Sequence, residues 1–170
     1  MVAYVVEALD DVTIAEGLPS PDMNLISPYV WAEDGHYRIM LRAVPQPSAS
    51  KSVTGIICAG KSDDGLLFHM DDKPAIAPGP DPVDAAGCED PTVVIGRSGY
   101  TVFYTGVELD RRQGSLLVAE GPDLLCLTKQ SVTLQAPLGE GNITEATLVQ
   151  TTSGEWRVFY EYAAQKASRV

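Results

Sequence analysis

The sequence predicts an all-β fold, and three observations carry the prediction. Short apolar runs rich in β-branched and aromatic residues alternate with Gly, Pro, Asp and Ser turn signals along the chain. No stretch of useful length shows the 3.6-residue period of an amphipathic helix. The order strand, turn, strand, loop, strand recurs three times, with Pro28, Pro91 and Ala146 in register at spacings of 63 and 55 residues. Repeated units of about four short strands predict a β-propeller, here with a repeat longer than the roughly 40–50 residues of the common blades.

Each element follows from local chemistry. Ala3 to Ala8 and Asp11 to Ile14 read as strands, and Pro19-Ser-Pro-Asp22 breaks the chain, because proline fixes φ and withholds a donor. Tyr29-Val-Trp31, the turn Glu33-Asp34-Gly35 and the alternating run Tyr37 to Ala43 form a hairpin. Pro45 to Ser50 is a loop, Gly55 to Ala59 a strand, and Asp63-Asp-Gly65 a tight turn before Leu66-Leu-Phe68. Four prolines place Asp71 to Ala86 in a long connection. The second unit repeats the pattern with Pro91 to Ile95, the turn Gly96-Arg-Ser-Gly99, Tyr100 to Thr105 and Ser115 to Ala119. A third begins at Thr147-Leu-Val149, turns at Thr152-Ser-Gly154 and runs through Trp156 to Tyr160. The expected units are about 22–70, 87–130 and 142–170 of a single domain, with a candidate closing strand in 1–21.

Composition limits what these units can do. The chain has 170 residues, is 45% hydrophobic and carries a net charge of −11. That suits one domain with a core, and the acidic balance argues against nucleic acid or an anionic membrane surface as a partner. Met1 to Glu7 lacks the basic and long apolar regions of a signal peptide, so the expected location is cytoplasmic. Cys58, Cys88 and Cys126 are odd in number and widely spaced, which argues against zinc or disulfides and reads as three buried small hydrophobes.

The register also selects candidate site residues. Inner strands of a propeller line its channel, so the residues before the aligned prolines, Ser27, Asp90 and Glu145, are expected to converge. On the second strands the matching residues are Arg42, Thr105 and Glu161. Two carboxylates from different blades form an acid and base pair suited to glycosidic bond cleavage. Neighbours on a regular strand face opposite ways, which puts Glu89 on the face opposite Asp90. Simpler readings stand beside these: Asp before Pro is a common turn initiator, Glu145 a strand cap, Arg42 an ion-pair partner and Lys61 a solvated turn lysine. His36 reads as a surface residue, and Trp31, Tyr100, Tyr104, Trp156 and Tyr160 as core.

Glu89-Asp90-Pro91, with Gly87 before it, resembles the Glu-Asp-Pro-Arg motif of glycoside hydrolase family 130, five-bladed propellers that phosphorolyse or hydrolyse β-mannosides. Asn24 with Pro28, Leu41-Arg42-Ala43, and Ala59-Gly-Lys61-Ser-Asp-Asp-Gly65 with Phe68 add to the resemblance, which spans about residues 22 to 120. More distantly the chain resembles the propeller glycosidases of families 43 and 32. The resemblance implies a partial five-bladed β-propeller of about two and a half blades, with Asp90 as proton donor and Asn24, Arg42, Lys61 and Glu89 at the substrate or phosphate. It implies no metal and no cofactor, with inorganic phosphate as a co-substrate.

Two departures from the motif matter. Thr92 stands where the family has arginine, which removes a bidentate anion donor. Ser27 stands where families 43 and 32 have an aspartate, which favours the family 130 reading. The expected function is an inverting β-mannoside phosphorylase or hydrolase acting on an oligosaccharide. The expected partner is a second copy, as a homodimer, or a second chain that completes the ring. The alternative is a non-catalytic glycan-binding or ring-completing subunit, or an inactive propeller fragment.

Overall fold

Strand follows strand, and each sheet is built on a meander in which sequence neighbours pair antiparallel, with one short strand added in parallel at the outer edge of the first. The structure, a computed structural model, describes residues 5–15, 17–46, 53–110, 113–164 and 167–170. The strands are β1 (Thr13–Ile14), β2 (Met23–Glu33), β3 (His36–Pro45), β4 (Ile56–Ser62), β5 (Leu67–Met70), β6 (Gly87–Gly96), β7 (Gly99–Val107), β8 (Gly114–Gly121), β9 (Thr128–Leu134), β10 (Asn142–Gln150), β11 (Trp156–Ala164) and β12 (Ala167–Arg169). They form three sheets in the orders β1-β5-β4-β3-β2, β6-β7-β8-β9 and β10-β11-β12. These are three blades of a partial five-bladed β-propeller, the fold class the sequence predicts. Among the described residues there is no α-helix, and no helix is long and apolar enough to cross a membrane.

The expected hairpin turns form for the expected reason. Glu33 pairs with His36 across Asp34 and Gly35, whose positive φ values of 50° and 80° give the two-residue turn that matches strand twist. Asp64 organises the next turn, its Oδ1 accepting from the Leu66 and Leu67 amides at 2.8 and 2.9 Å. These donors hold the Asp64 carboxyl down at about 2. One expectation fails at the N-terminus. Residues 5–8 of the expected first strand, Ala3 to Ala8, are outside any strand, while Ala3 and Tyr4 lie outside the described residues. The second expected strand shrinks to β1, which pairs in parallel with β5.

The core lies between the blades. Met40, Ile57 and Ala59 of the first sheet pack against Val93, Val102, Tyr104 and Leu117 of the second. Leu116 and Phe103 of the second pack against Ile143, Ala146 and Tyr160 of the third. Alternation along β3 and β7 explains the division, since Met40 and Phe103 face the following blade while Ile39, Leu41, Val102 and Tyr104 face the other way. Cys58 and Cys88 are buried, and burial pushes the Cys58 thiol up to about 11 and raises that of Cys88 further. Cys126 is exposed, contrary to expectation, because it lies in the tight turn after β8 and not in a strand. Trp156 likewise opens β11 at the surface, 53% exposed.

A buried ion pair pins the long connection between the first two blades. Asp84 is fully buried in a 3-10 turn (Pro82–Asp84). It accepts from the Gly79 amide at 3.0 Å, the Tyr104 hydroxyl at 3.0 Å and Lys129 Nζ at 2.6 Å. Lys129 also donates to the carbonyls of Ala77 and Gly79. A buried carboxylate needs this many partners to offset its lost hydration. Asp84→Ala should therefore lower the unfolding free energy by about 3 kcal/mol, measured by urea denaturation. A loss under about 1 kcal/mol would show that Lys129 escapes to water at little cost.

Candidate functional site

The three inner strands share one irregularity. On β2 the pairing advances three residues, Ile26 to Tyr29, while β3 advances two, Arg42 to Met40. The same slip occurs between Glu89 and Thr92 against Thr105 and Phe103, and between Thr144 and Thr147 against Glu161 and Phe159. Each is a β-bulge with one extra residue. Ser27, Asp90 and Glu145 occupy the bulges with φ of 51°, 49° and 49°, the left-handed region that costs an L-residue about 1–2 kcal/mol. Pro28 and Pro91 follow two of them and have no N–H to give a ladder the bulge interrupts.

The bulges bring the register residues together. Ser27, Tyr29, Asp90, Thr92, Glu145 and Thr147 line one open pocket of about 360 Å³. Ser27 Oγ donates to Asp90 Oδ1 at 2.6 Å, across two blades. Among the described residues Asp90 Oδ2 has no hydrogen-bond donor. The Glu145 amide donates to Thr105 Oγ1 at 3.3 Å, and Thr92 Oγ1 donates to the Ala146 carbonyl at 2.5 Å. Thr92, standing where the motif has arginine, thus ties the second inner strand to the third bulge.

Arg42 corrects the expectation for Glu89. Its Nη2 lies 2.5 Å from Glu89 Oε1 and its Nη1 lies 3.8 Å from Asp90 Oδ1, so one guanidinium spans both carboxylates. The opposite-face argument assumed a regular pleat, and the left-handed turn at Asp90 breaks the alternation. Arg42 Nε and Nη2 also donate to the Thr54 carbonyl at 3.3 and 2.9 Å. Close approach makes this geometry: a Cβ on Gly55 would meet Arg42 Cγ at 2.9 Å, and one on Gly87 would meet the Gly55 amide nitrogen at 2.9 Å. Burial raises the Glu89 carboxyl above the ordinary range despite the opposing pull of Arg42.

The remaining candidates lie elsewhere. Asn24 is exposed on β2 opposite Val44, three residues before the bulge and outside the pocket lining. Lys61 is exposed on β4 between Arg38 and His69 and is likewise outside that lining. His36 pairs with Asp63 at the surface. Among the described residues no group of three or more His, Cys, Asp or Glu could hold a metal ion. Two supporting residues escaped sequence reasoning. Tyr29 packs against Trp31 with ring centroids 5.9 Å apart and planes tilted by 47°, Trp31 in turn contacts Tyr100, and Thr54 anchors Arg42 through a carbonyl no motif marks.

No protein-family model matches the chain, and no curated protein matches it. Solved structures do. A family 117 glycoside hydrolase from Zobellia galactanivorans shares 14% identity over 94% of this chain and 54% of its own, with a TM-score of 0.71. A β-1,2-mannobiose phosphorylase from Listeria innocua, in complex with β-1,2-mannobiose, shares 13% over 89% and 56%, at 0.63. A structure representing the glycoside hydrolase family 130 of mannoside phosphorylases, which contains hydrolases that target β-1,2-mannosidic linkages in Candida mannan, shares 18% over 83% and 44%, at 0.63. The chain spans about half the length of most of the solved structures it matches. It has a fold like that of glycoside hydrolases and phosphorylases, and family 130 is among its structural neighbours.

Glu145 generates a pH prediction. Burial, then the charges of Asp90 and Glu161, raise its carboxyl above the ordinary glutamate range. A raised carboxyl holds its proton longer folded than unfolded, so its contribution to stability falls as pH rises from the ordinary glutamate range through the raised value. Glu145→Gln should match the parent at pH 3 and exceed it at pH 7, read as thermal midpoints across that range. Equal midpoints at pH 7 would show that solvent screens the repulsion.

Proposed function

We propose that the chain carries the acid side of a site that cleaves β-mannosidic bonds with inversion, and that Asp90 is the general acid. The observation that supports this most is the Ser27, Asp90 and Glu145 pocket, where inner-strand bulges of three blades present two carboxylates from different blades. Ser27 holds Oδ1, and Oδ2 is the oxygen that presents the proton to the glycosidic oxygen. As the bond to the leaving sugar breaks, a nucleophile attacks the anomeric carbon from the opposite side, and the configuration inverts.

Water fits this pocket better than phosphate. Two carboxylates and no cation are among its lining residues. Arg42 gives Nε and Nη2 to Thr54 and Glu89, which leaves Nη1 beside Asp90, and Thr92 gives its hydroxyl to Ala146. Phosphate wants cationic donors, whereas Glu145 adds a second carboxylate from a different blade, the kind of group a base that activates water requires. Arg42 and Glu89 then act as positioning residues for Asp90. Under phosphorolysis inorganic phosphate is the co-substrate; neither route calls for another cofactor.

The test is turnover of β-1,2-mannobiose and mannosyl-glucose, with and without phosphate, followed by NMR of the first anomer released. The expected result is phosphate-independent release of mannose as the α anomer. Asp90→Asn should lower kcat at least about 100-fold. Full activity in that variant would remove the assignment, and phosphate-dependent mannose 1-phosphate formation would replace hydrolysis by phosphorolysis.

A further inference from the structure

The inner-strand repeat has one side chain out of pattern. The residue two places beyond each bulge, Tyr29, Thr92 and Thr147, lines the pocket together with the bulge residue itself. In the second and third blades that residue is a threonine. In the first it is a tyrosine, the only aromatic ring among the described residues that line the pocket.

The fold holds this ring firmly while leaving part of it uncovered. Tyr29, Trp31 and Glu33 follow the period of two along the half-buried face of β2, and both rings pack against the core shared by the first two blades. Trp31 meets Tyr100 of the second blade with centroids 6.4 Å apart, and the Tyr100 hydroxyl donates to Glu33 Oε2 at 2.7 Å. Glu33 pairs in turn with Arg38 at 3.3 Å. A ring supported in this way loses little freedom when a ligand meets it. A pyranose suits such a lining, because it offers a patch of C–H bonds to an aromatic face and hydroxyls to carboxylates.

Position says which pyranose. The second inner strand lies between the other two, since Ser27 bonds Asp90 across one blade boundary and Thr92 bonds the Ala146 carbonyl across the next. Tyr29 and Glu145 are therefore on opposite sides of Asp90. In an inverting site the reacting sugar lies between acid and base, so the leaving sugar lies on the other side of the acid. We propose that Tyr29 is the platform for the leaving sugar, and that the chain selects β-mannosides carrying a second pyranose ring. The inference rests on the proposed roles of Asp90 and Glu145, and adds the residue that reads the leaving group.

The test measures binding by titration calorimetry in the Asp90→Asn chain, which leaves a bound sugar uncleaved. The ligands are β-1,2-mannobiose, methyl β-mannoside and cellobiose, and each variant is first checked for a cooperative thermal transition. Tyr29→Leu keeps an apolar side chain without a ring face and should raise the mannobiose Kd about tenfold. Tyr29→Phe keeps the face and should stay within about twofold of the parent. Methyl β-mannoside, with its single pyranose, should not distinguish the three chains. Unchanged mannobiose affinity in Tyr29→Leu overturns the platform and leaves the assigned chemistry standing. A loss of methyl β-mannoside binding equal to that of mannobiose overturns the leaving-sugar assignment. Cellobiose bound in a Tyr29-dependent way, with mannobiose ignored, keeps the platform and overturns the mannoside reading. If neither disaccharide binds, both fall.

Discussion

The bulge at the head of each inner strand is the constraint from which the site follows. A left-handed Ser, Asp or Glu is unfavourable by about 1–2 kcal/mol on local sterics alone. Three in register persist because neighbouring blades hold them. Ser27 donates to Asp90, Thr105 accepts from the Glu145 amide, and Thr92 donates to the carbonyl just after it. Every one of these bonds crosses a blade boundary. Packing the blades therefore sets the bulges, and the bulges turn the carboxylates into one pocket; remove the first and the second has no reason to hold.

Electrostatics then divides two similar groups. The chain is strongly acidic, yet Arg42 lies almost buried between Glu89 and Asp90, with 17% of its side chain exposed. Its fork geometry suits the role, since one guanidinium serves the Thr54 carbonyl and two carboxylates at once, which an ammonium on a flexible stem does poorly. Glu145 has no such neighbour; the charges that act on it, Asp90 and Glu161, repel it. The two carboxylates of one pocket thus sit in different electrostatic surroundings, a cation beside Asp90 and anions beside Glu145.

Much of this was legible before any coordinates. Strand order, the Glu33-Asp-Gly35 and Asp63-Asp-Gly65 turns, and the alignment of residues 27, 90 and 145 could be read because turn chemistry and proline positions act locally. What stayed hidden depends on partners distant in sequence. Ala3 to Ala8 has strand propensity, but in residues 5–8 no ladder supports it. β9, Thr128–Leu134, is largely polar and exposed at a sheet edge, so no alternation marks it. The Glu89 orientation failed because a bulge resets the period of two on which the argument rested. Asp84 and Lys129 lie 45 residues apart, and neither carries a local sign of the other.

The repeat also shows where variation in such a site can enter. Arg42, Thr105 and Glu161 occupy one structural position, opposite the residue before each bulge, and the first two each touch the bulge of the following blade. A cation, a neutral hydroxyl and an anion therefore succeed one another around the axis at constant backbone geometry. Asp90 follows the cation, and Glu145 follows the hydroxyl with an anion from its own second strand alongside. A propeller can in this way change the charge beside one carboxylate without moving it, by a substitution that leaves every ladder bond in place.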